Sequence, residues 1–219
     1  EKADFGFIFD GDGDRIFLLD ENGKFISADI TLILLAKYFL EKNPGSSIAY
    51  NAICSKAVPE MIKKFGGRPV RTQVGFANVQ QALIKEGAIM GGELSGHYCY
   101  QSNYCGDSAL ISFLAILQII SGSGKKVSSL VKKLSPYFKS AEANFKVEDK
   151  EGILTKIKEK YADGKQDFLD GITVWHKNWW FNVRPSNTEP LLRLTIEADT
   201  EKLLETKKKE LSEYIEGNK

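Results

Sequence analysis

Over residues 25–135, short apolar runs alternate with longer segments of helical spacing. Residues 47–50, 69–72 and 88–90 have strand length and strand composition. Residues 30–40, 56–65, 78–86 and 107–120 have helical length and helical spacing. Asp29 stands where it can cap the first of these helices, and Asn43-Pro44-Gly45 stops it. That helix is apolar on most faces, which predicts burial. Gly66-Gly67 ends the second helix. Strand and helix in alternation predict an α/β three-layer domain with a mostly parallel sheet.

The rhythm changes over residues 136–219. Strands are expected at 144–147, 172–175, 179–183 and 191–198, and helices at 152–161 and 203–215. Consecutive strands joined by a short loop predict a small α+β domain with an antiparallel sheet. Trp175, Trp179 and Trp180 fall in these strands and are read as core. At the other end, residues 1–24 hold two short strands and the turn Glu21-Asn22-Gly23. They read as a remnant of a preceding α/β domain. The expected pieces are therefore 1–24, 25–135 and 136–219, with a hinge near Leu134-Ser135-Pro136.

Composition narrows the function classes. The 219 residues are 42% hydrophobic and 27% charged, ordinary values for globular chains. With 30 basic and 29 acidic side chains, there is no net field to recruit nucleic acid. Lys132-Lys133 and Lys207-Lys208-Lys209 read as solvated helix faces. No run approaches the roughly 18 apolar residues of a membrane span. Cys54, Cys99 and Cys105 form no CxxC pair, and free thiols of a cytoplasmic protein are the simplest reading. Gly122-Ser123-Gly124-Lys125 fails as a phosphate loop. No glycine stands five residues before Gly124, and Lys126 stands where Ser or Thr is required.

Three loops carry candidate chemistry. Asp10-Gly11-Asp12-Gly13-Asp14-Arg15 follows an apolar run, and its glycines let three carboxylates converge on one hard cation. Three carboxylates this close repel one another without a metal. An EF-hand loop is the rival reading, with Glu21 at its twelfth position. Arg15 stands where that loop needs glycine, and the flanks are strand-like. Gly91-Gly92-Glu93-Leu94-Ser95-Gly96-His97 lies at the end of an expected strand, where α/β sheets bind ligands. Glu93 and Ser95 can bond vicinal hydroxyls, and His97 can move a proton near neutral pH. A glycine-rich turn with a structural histidine is the plainer alternative. Arg184-Pro185-Ser186-Asn187-Thr188-Glu189-Pro190 supplies a guanidinium fork, two hydroxyls, an amide and backbone N–H groups, which suits phosphate oxygens. A polar hairpin turn is the plainer reading of this segment too.

Taken in order, these loops resemble those of the α-D-phosphohexomutase family, the phosphoglucomutases and phosphomannomutases. Asp10 to Arg15 is similar to the family's Mg²⁺ loop, Gly92 to His97 to its sugar-hydroxyl loop, and Arg184 to Pro190 to its phosphate-clamping loop. Arg71-Thr72-Gln73-Val74-Gly75 is similar to a further substrate loop. The resemblance implies Mg²⁺ on Asp10, Asp12 and Asp14, with Arg15 helping to neutralise charge. Sugar hydroxyls would lie on Glu93 and Ser95, with Gly75 in the substrate loop. Arg184, Ser186, Asn187 and Thr188 would hold a phosphate, and His97 would transfer the proton. It implies interconversion of hexose 1-phosphate and hexose 6-phosphate through a phosphoserine, with a hexose 1,6-bisphosphate as intermediate and activator. The partner is then a phosphorylated hexose.

The family is about twice this length, and its catalytic serine lies in a Ser-His-Asn-Pro type loop that is not found here. The chain therefore resembles the C-terminal half, expected to be inactive without the missing N-terminal domains. Two positions depart from the pattern. Phe76 stands where the family usually carries His, and Ile53 where it often carries Lys or Arg. They motivate the alternative of a sugar-phosphate-binding module without catalysis.

Overall fold

A computed structural model describes residues 2–186 and 189–218. The chain divides into two compact units, Glu1–Pro136 and Tyr137–Lys219.

The first unit opens with a meander of β1 (Gly6–Phe9), β2 (Ile16–Leu19) and β3 (Phe25–Ile26), paired antiparallel in that order. Then come α1 (Ala28–Lys42), β4 (Ser47–Asn51), α2 (Ala57–Lys64), β5 (Arg68–Thr72), α3 (Phe76–Glu86), β6 (Ala88–Gly92), β7 (Tyr98–Tyr100), α4 (Ala109–Ser123) and α5 (Val127–Val131). The second sheet runs β5-β4-β6-β7. β4 pairs parallel with β5 and β6, whereas β7 returns antiparallel beside β6. The sheet is thus mixed rather than wholly parallel. The reversal comes from the tight Glu93-to-His97 turn, too short to hold a crossover helix.

Adjacent glycines show the layering. A Cβ on Gly91 would collide with Val79 of α3, and one on Gly92 with Leu32 of α1. Neighbouring strand residues face opposite sides, so helices cover both faces and press close at this point. Most of α1 is buried as expected, including Leu32, Ile33, Leu35, Ala36 and Leu40. The meander is anchored here too: Ile16 and Leu18 are fully buried, and Phe7 packs edge-on against Phe113 of α4.

Asp29 does not cap α1. Ser27 holds that position, and Asp29 lies buried in the first turn. Its carboxylate accepts from Ser27 Oγ at 2.5 Å and from the Ser55 N–H at 3.1 Å, tying the helix start to the β4–α2 loop. True side-chain caps are Ser108 on α4, and in the second unit Asp149 and Thr200.

The second unit holds β8 (Phe138–Lys139), β9 (Ala143–Lys146), α6 (Lys150–Lys160), β10 (Lys165–Asp167), β11 (Ile172–Trp175), β12 (Trp179–Pro185), β13 (Leu191–Ala198) and α7 (Glu201–Glu216). Its sheet runs β10-β11-β12-β13-β8, with β9 also on β13, and each pairing is antiparallel. Phe145, Ile153, Ile157, Phe181, Val183, Leu194, Leu211 and Ile215 form one core between sheet and helices. Trp180 is fully buried, and its indole N–H donates to Glu197 Oε1 at 2.8 Å across the ladder. Trp179 and Trp180 are buried, as the core reading expects, whereas Trp175 is only partly buried and stacks on Trp180.

Candidate functional site

The β1–β2 connection carries the acidic loop. Gly13 has φ +76°, a left-handed turn that glycine adopts without strain. Donor oxygens of Asp10, Asp12 and Asp14 lie within 4.8 Å of one another. Asp10 is held by Arg15, which donates its backbone N–H at 3.1 Å and its Nε at 2.5 Å. The guanidinium keeps the Asp10 carboxyl well below the usual range. Asp14 is pushed the other way, chiefly by burial, and its Oδ1 is buried with no hydrogen bond among the described residues. A buried carboxylate oxygen without a donor, beside two further carboxylates, fits a hard cation. The flanking elements are strands, which removes the EF-hand reading.

The β6–β7 turn packs directly on this hairpin. Gly96 accepts a bond from the Ile16 N–H at 3.2 Å. Glu93 is buried, and its carboxylate is a tie between loops. It accepts from the Gly75 N–H at 2.8 Å, from Asn51 Nδ2 at 3.4 Å and from Ser95 Oγ at 3.3 Å. Gly75, with φ +123°, opens α3, so Glu93 sets the position of that glycine. Ser95 is exposed. His97 Nδ1 lies 2.7 Å from Asp107 Oδ2 and 3.9 Å from Asp14 Oδ1. The metal-loop and sugar-loop candidates therefore meet at His97. Phe76, the first residue of α3, packs 5.6 Å from the His97 ring, and Ile53 is buried.

In the second unit, Arg184 lies near the end of β12, and Ser186 begins the loop. Both are buried. Arg184 donates to Glu142 Oε2 at 2.9 Å, and the Ser186 N–H closes the hairpin on Leu191 O at 2.8 Å. Lys150 Nζ reaches the carbonyls of Ser186 and Glu189 at 3.3 and 3.0 Å. Asn187 and Thr188 lie outside the described residues.

Sequence reasoning missed several of these partners. Asp107 reaches His97 because an isolated bridge pairs it with Cys99, a contact with no sequence period. Asn51 reaches Glu93 from the end of β4. Glu142 and Arg193 join the Arg184 loop through strand register, which pairs Arg184 with Arg193.

Two family descriptions fit the chain. "Phosphoglucomutase/phosphomannomutase, alpha/beta/alpha domain III" fits residues 27–138, and "Phosphoglucomutase/phosphomannomutase, C-terminal domain" fits residues 142–213. The chain belongs to the phosphoglucomutase/phosphomannomutase family. A phosphomannomutase of Methanocaldococcus jannaschii is 42% identical over 214 residues, covering 98% of this chain and 48% of the relative. The chain thus spans about half the length of the curated relatives it matches. Among solved structures, a phosphoglucomutase/phosphomannomutase family protein of Burkholderia thailandensis superposes with TM-score 0.86 at 28% identity. That match covers 99% of this chain and 47% of the other. The Aspergillus fumigatus N-acetylphosphoglucosamine mutase, solved with GlcNAc-6P and magnesium, shares the fold with TM-score 0.68 at 14% identity. It covers 96% of this chain and 48% of that one. Within the phosphohexomutase frame, the matched regions carry the β6–β7 turn and the β12–β13 loop. The acidic hairpin precedes the start of the domain III match. No helix among the described residues is long and apolar enough to cross a membrane.

Proposed function

We propose that this chain forms the C-terminal portion of a phosphohexomutase that interconverts hexose 1-phosphate and hexose 6-phosphate, with glucose or mannose as the sugar. The observation that carries the reading is the meeting of Asp14, His97 and the Glu93 turn on one side of the first unit. Mg²⁺ on Asp10, Asp12 and Asp14 would supply charge neutralisation for a phosphoryl group carried by a serine of the longer protein. Asp14 Oδ1, buried and without a hydrogen-bond donor among the described residues, supports that ligand set.

The residues of this chain then divide the remaining work. Ser95 and Glu93 orient sugar hydroxyls, with Glu93 also holding Gly75 in place. His97 takes the proton from the hydroxyl that accepts the phosphoryl group. Arg15 adds positive charge at the same loop. Arg184, Ser186, Asn187 and Thr188 grip the phosphate that is not reacting. A clamp that reads only a phosphate accepts either orientation of a bisphosphate, which the return step requires.

A second reading, a sugar-phosphate-binding module without catalysis, draws on Phe76 and Ile53. Phe76 packs against His97 and carries no proton, and buried Ile53 offers no charge. Turnover decides between the two. The longer protein is expected to convert glucose 1-phosphate or mannose 1-phosphate in the presence of Mg²⁺, and the 219-residue chain alone is expected to convert neither. Failure of the longer, phosphorylated protein on both sugars would favour the binding module.

A further inference from the structure

Asp14 of the acidic hairpin, His97 of the β6–β7 turn and Asp107, the residue before the cap of α4, come from three separate segments. One donor atom of each lies within 4.8 Å of the other two. His97 Nδ1 is 2.7 Å from Asp107 Oδ2 and 3.9 Å from Asp14 Oδ1. Around a tetrahedral ion with bonds of about 2.0–2.1 Å, neighbouring ligand atoms stand about 3.3 Å apart. The two measured spacings bracket that value, so small side-chain movements close the three donors on one cation. Asp14 Oδ1 is shielded from solvent and has no hydrogen-bond partner among the described residues. Arg15 Nε lies 3.9 Å from it, but that guanidinium is engaged by Asp10 at 2.5 Å. Asp14, His97 and Asp107 are all partly exposed, so an ion can enter. The donor set differs in kind from that of the acidic loop. Asp10, Asp12 and Asp14 offer oxygen alone, which suits Mg²⁺. An imidazole nitrogen beside two carboxylates suits Zn²⁺, Co²⁺ or Ni²⁺.

We propose that Asp14, His97 and Asp107 form a second cation site, selective for borderline divalent ions such as Zn²⁺, and that filling it disables His97. A neutral imidazole has one N–H and one lone pair. With the N–H on Nδ1, toward Asp107, Nε2 keeps the lone pair that accepts a proton. A metal on Nδ1 takes the lone pair there and leaves the ring's one proton on Nε2, so nothing remains to accept another. The ion also draws on Asp14, which the acidic loop needs for Mg²⁺. The cation site stands on its three donors, whereas its effect on turnover rests on the proposed role of His97.

The test is titration of the 219-residue chain with Zn²⁺, Mg²⁺ being held in excess, followed by calorimetry and by NMR of the His97 ring. One Zn²⁺ per chain is expected, with the Nδ1 resonance of His97 shifted. His97→Gln and Asp107→Asn are each expected to weaken Zn²⁺ binding at least about ten-fold and to leave Mg²⁺ affinity unchanged. Asp107→Asn keeps the shape and serves if His97→Gln fails to fold. Asp12→Asn is expected to do the reverse, weakening Mg²⁺ and sparing Zn²⁺. Cys105→Ser is expected to bind Zn²⁺ like the unaltered chain. The longer protein is expected to lose turnover as Zn²⁺ fills the site. Undiminished Zn²⁺ affinity in folded His97→Gln or Asp107→Asn overturns the site, as does absence of Zn²⁺ binding. Loss of Zn²⁺ in Cys105→Ser places the ion on a thiol, and loss in Asp12→Asn places it on the acidic loop; either overturns the site too. Full turnover of the longer protein with Zn²⁺ bound overturns the disabling of His97. A longer protein inactive without Zn²⁺ contradicts the mutase reading, while Zn²⁺ binding to the chain still decides the cation site.

Discussion

Gly96 has φ +88°, and a Cβ there would sit 2.9 Å from the Phe17 ring and 3.2 Å from the Ile16 carbonyl. Both features come from one requirement: the Glu93-to-His97 turn must lie flat on the acidic hairpin for His97 to come beside Asp14. Gly96→Ala is expected to cost roughly 1–3 kcal/mol by backbone strain and displaced packing. A thermal or urea unfolding curve measures it, and an unchanged midpoint would show that the loop moves without cost. Asp14→Asn addresses the other side of the same contact. The substitution keeps the shape and removes the negative charge. It is expected to weaken Mg²⁺ binding at least about ten-fold, since a hard cation takes its affinity from ligand charge. Calorimetric titration of Mg²⁺ reads this directly. Cys99 stands close by, but burial pushes its thiol up to about 12. It is expected to resist alkylation in the folded chain at neutral pH, while the partly buried Cys105 reacts first. Mass spectrometry after a short alkylation pulse distinguishes the two.

At the scale of elements, the turn between β2 and β3 is tied to α5 by Glu21. Its carboxylate accepts from the Ser128 hydroxyl and from the Ser128 N–H at 3.2 Å. The Ser128 hydroxyl is the main cause that lowers the Glu21 carboxyl below its ordinary value. A depressed acid contributes stability above its unfolded value and loses it as pH falls through the folded one. Glu21→Gln should therefore lower stability at neutral pH and flatten the decline on acidification. Unfolding curves across the acid range check this, and parallel pH profiles for both forms would contradict it. Element type was legible wherever period and length agreed: α1, α4 and α7 lie where apolar spacing places them. The short strands β3, β7, β8 and β10 were not, because two or three residues carry no period. Nor was the reversal at β7, since sheet direction depends on how tightly the Glu93-to-His97 turn closes.

Over the whole molecule, what was readable was the set of loops, and what was hidden was their partners. Asp10, Asp12 and Asp14 are close in sequence, and so are Glu93, Ser95 and His97, so local spacing identifies them. Asp107 on His97, Asn51 on Glu93, and Glu142 with Arg193 beside Arg184 come from strand register and turn closure. Those pairings bring residues together from ten to more than forty positions apart, and no local pattern records them. The same distinction governs the functional account. Mg²⁺, sugar and phosphate candidates are assigned by chemistry of the loops, and their tuning by the long-range partners.

The central claim is that the Glu93 turn of the first unit and the Arg184 loop of the second unit each bind a phosphorylated hexose. Its most direct test is amide NMR of the isotope-labelled chain, titrated with glucose 1-phosphate and with mannose 1-phosphate. The account predicts saturable shifts at Arg184 and Ser186 in the second unit and at Glu93, Ser95 and His97 in the first. The sugar with the larger first-unit shifts is then the substrate. Shifts confined to Arg184 and Ser186, identical for both sugars and for inorganic phosphate, would contradict the assignment of the Glu93 turn to the sugar. No shift at either loop would contradict the account as a whole.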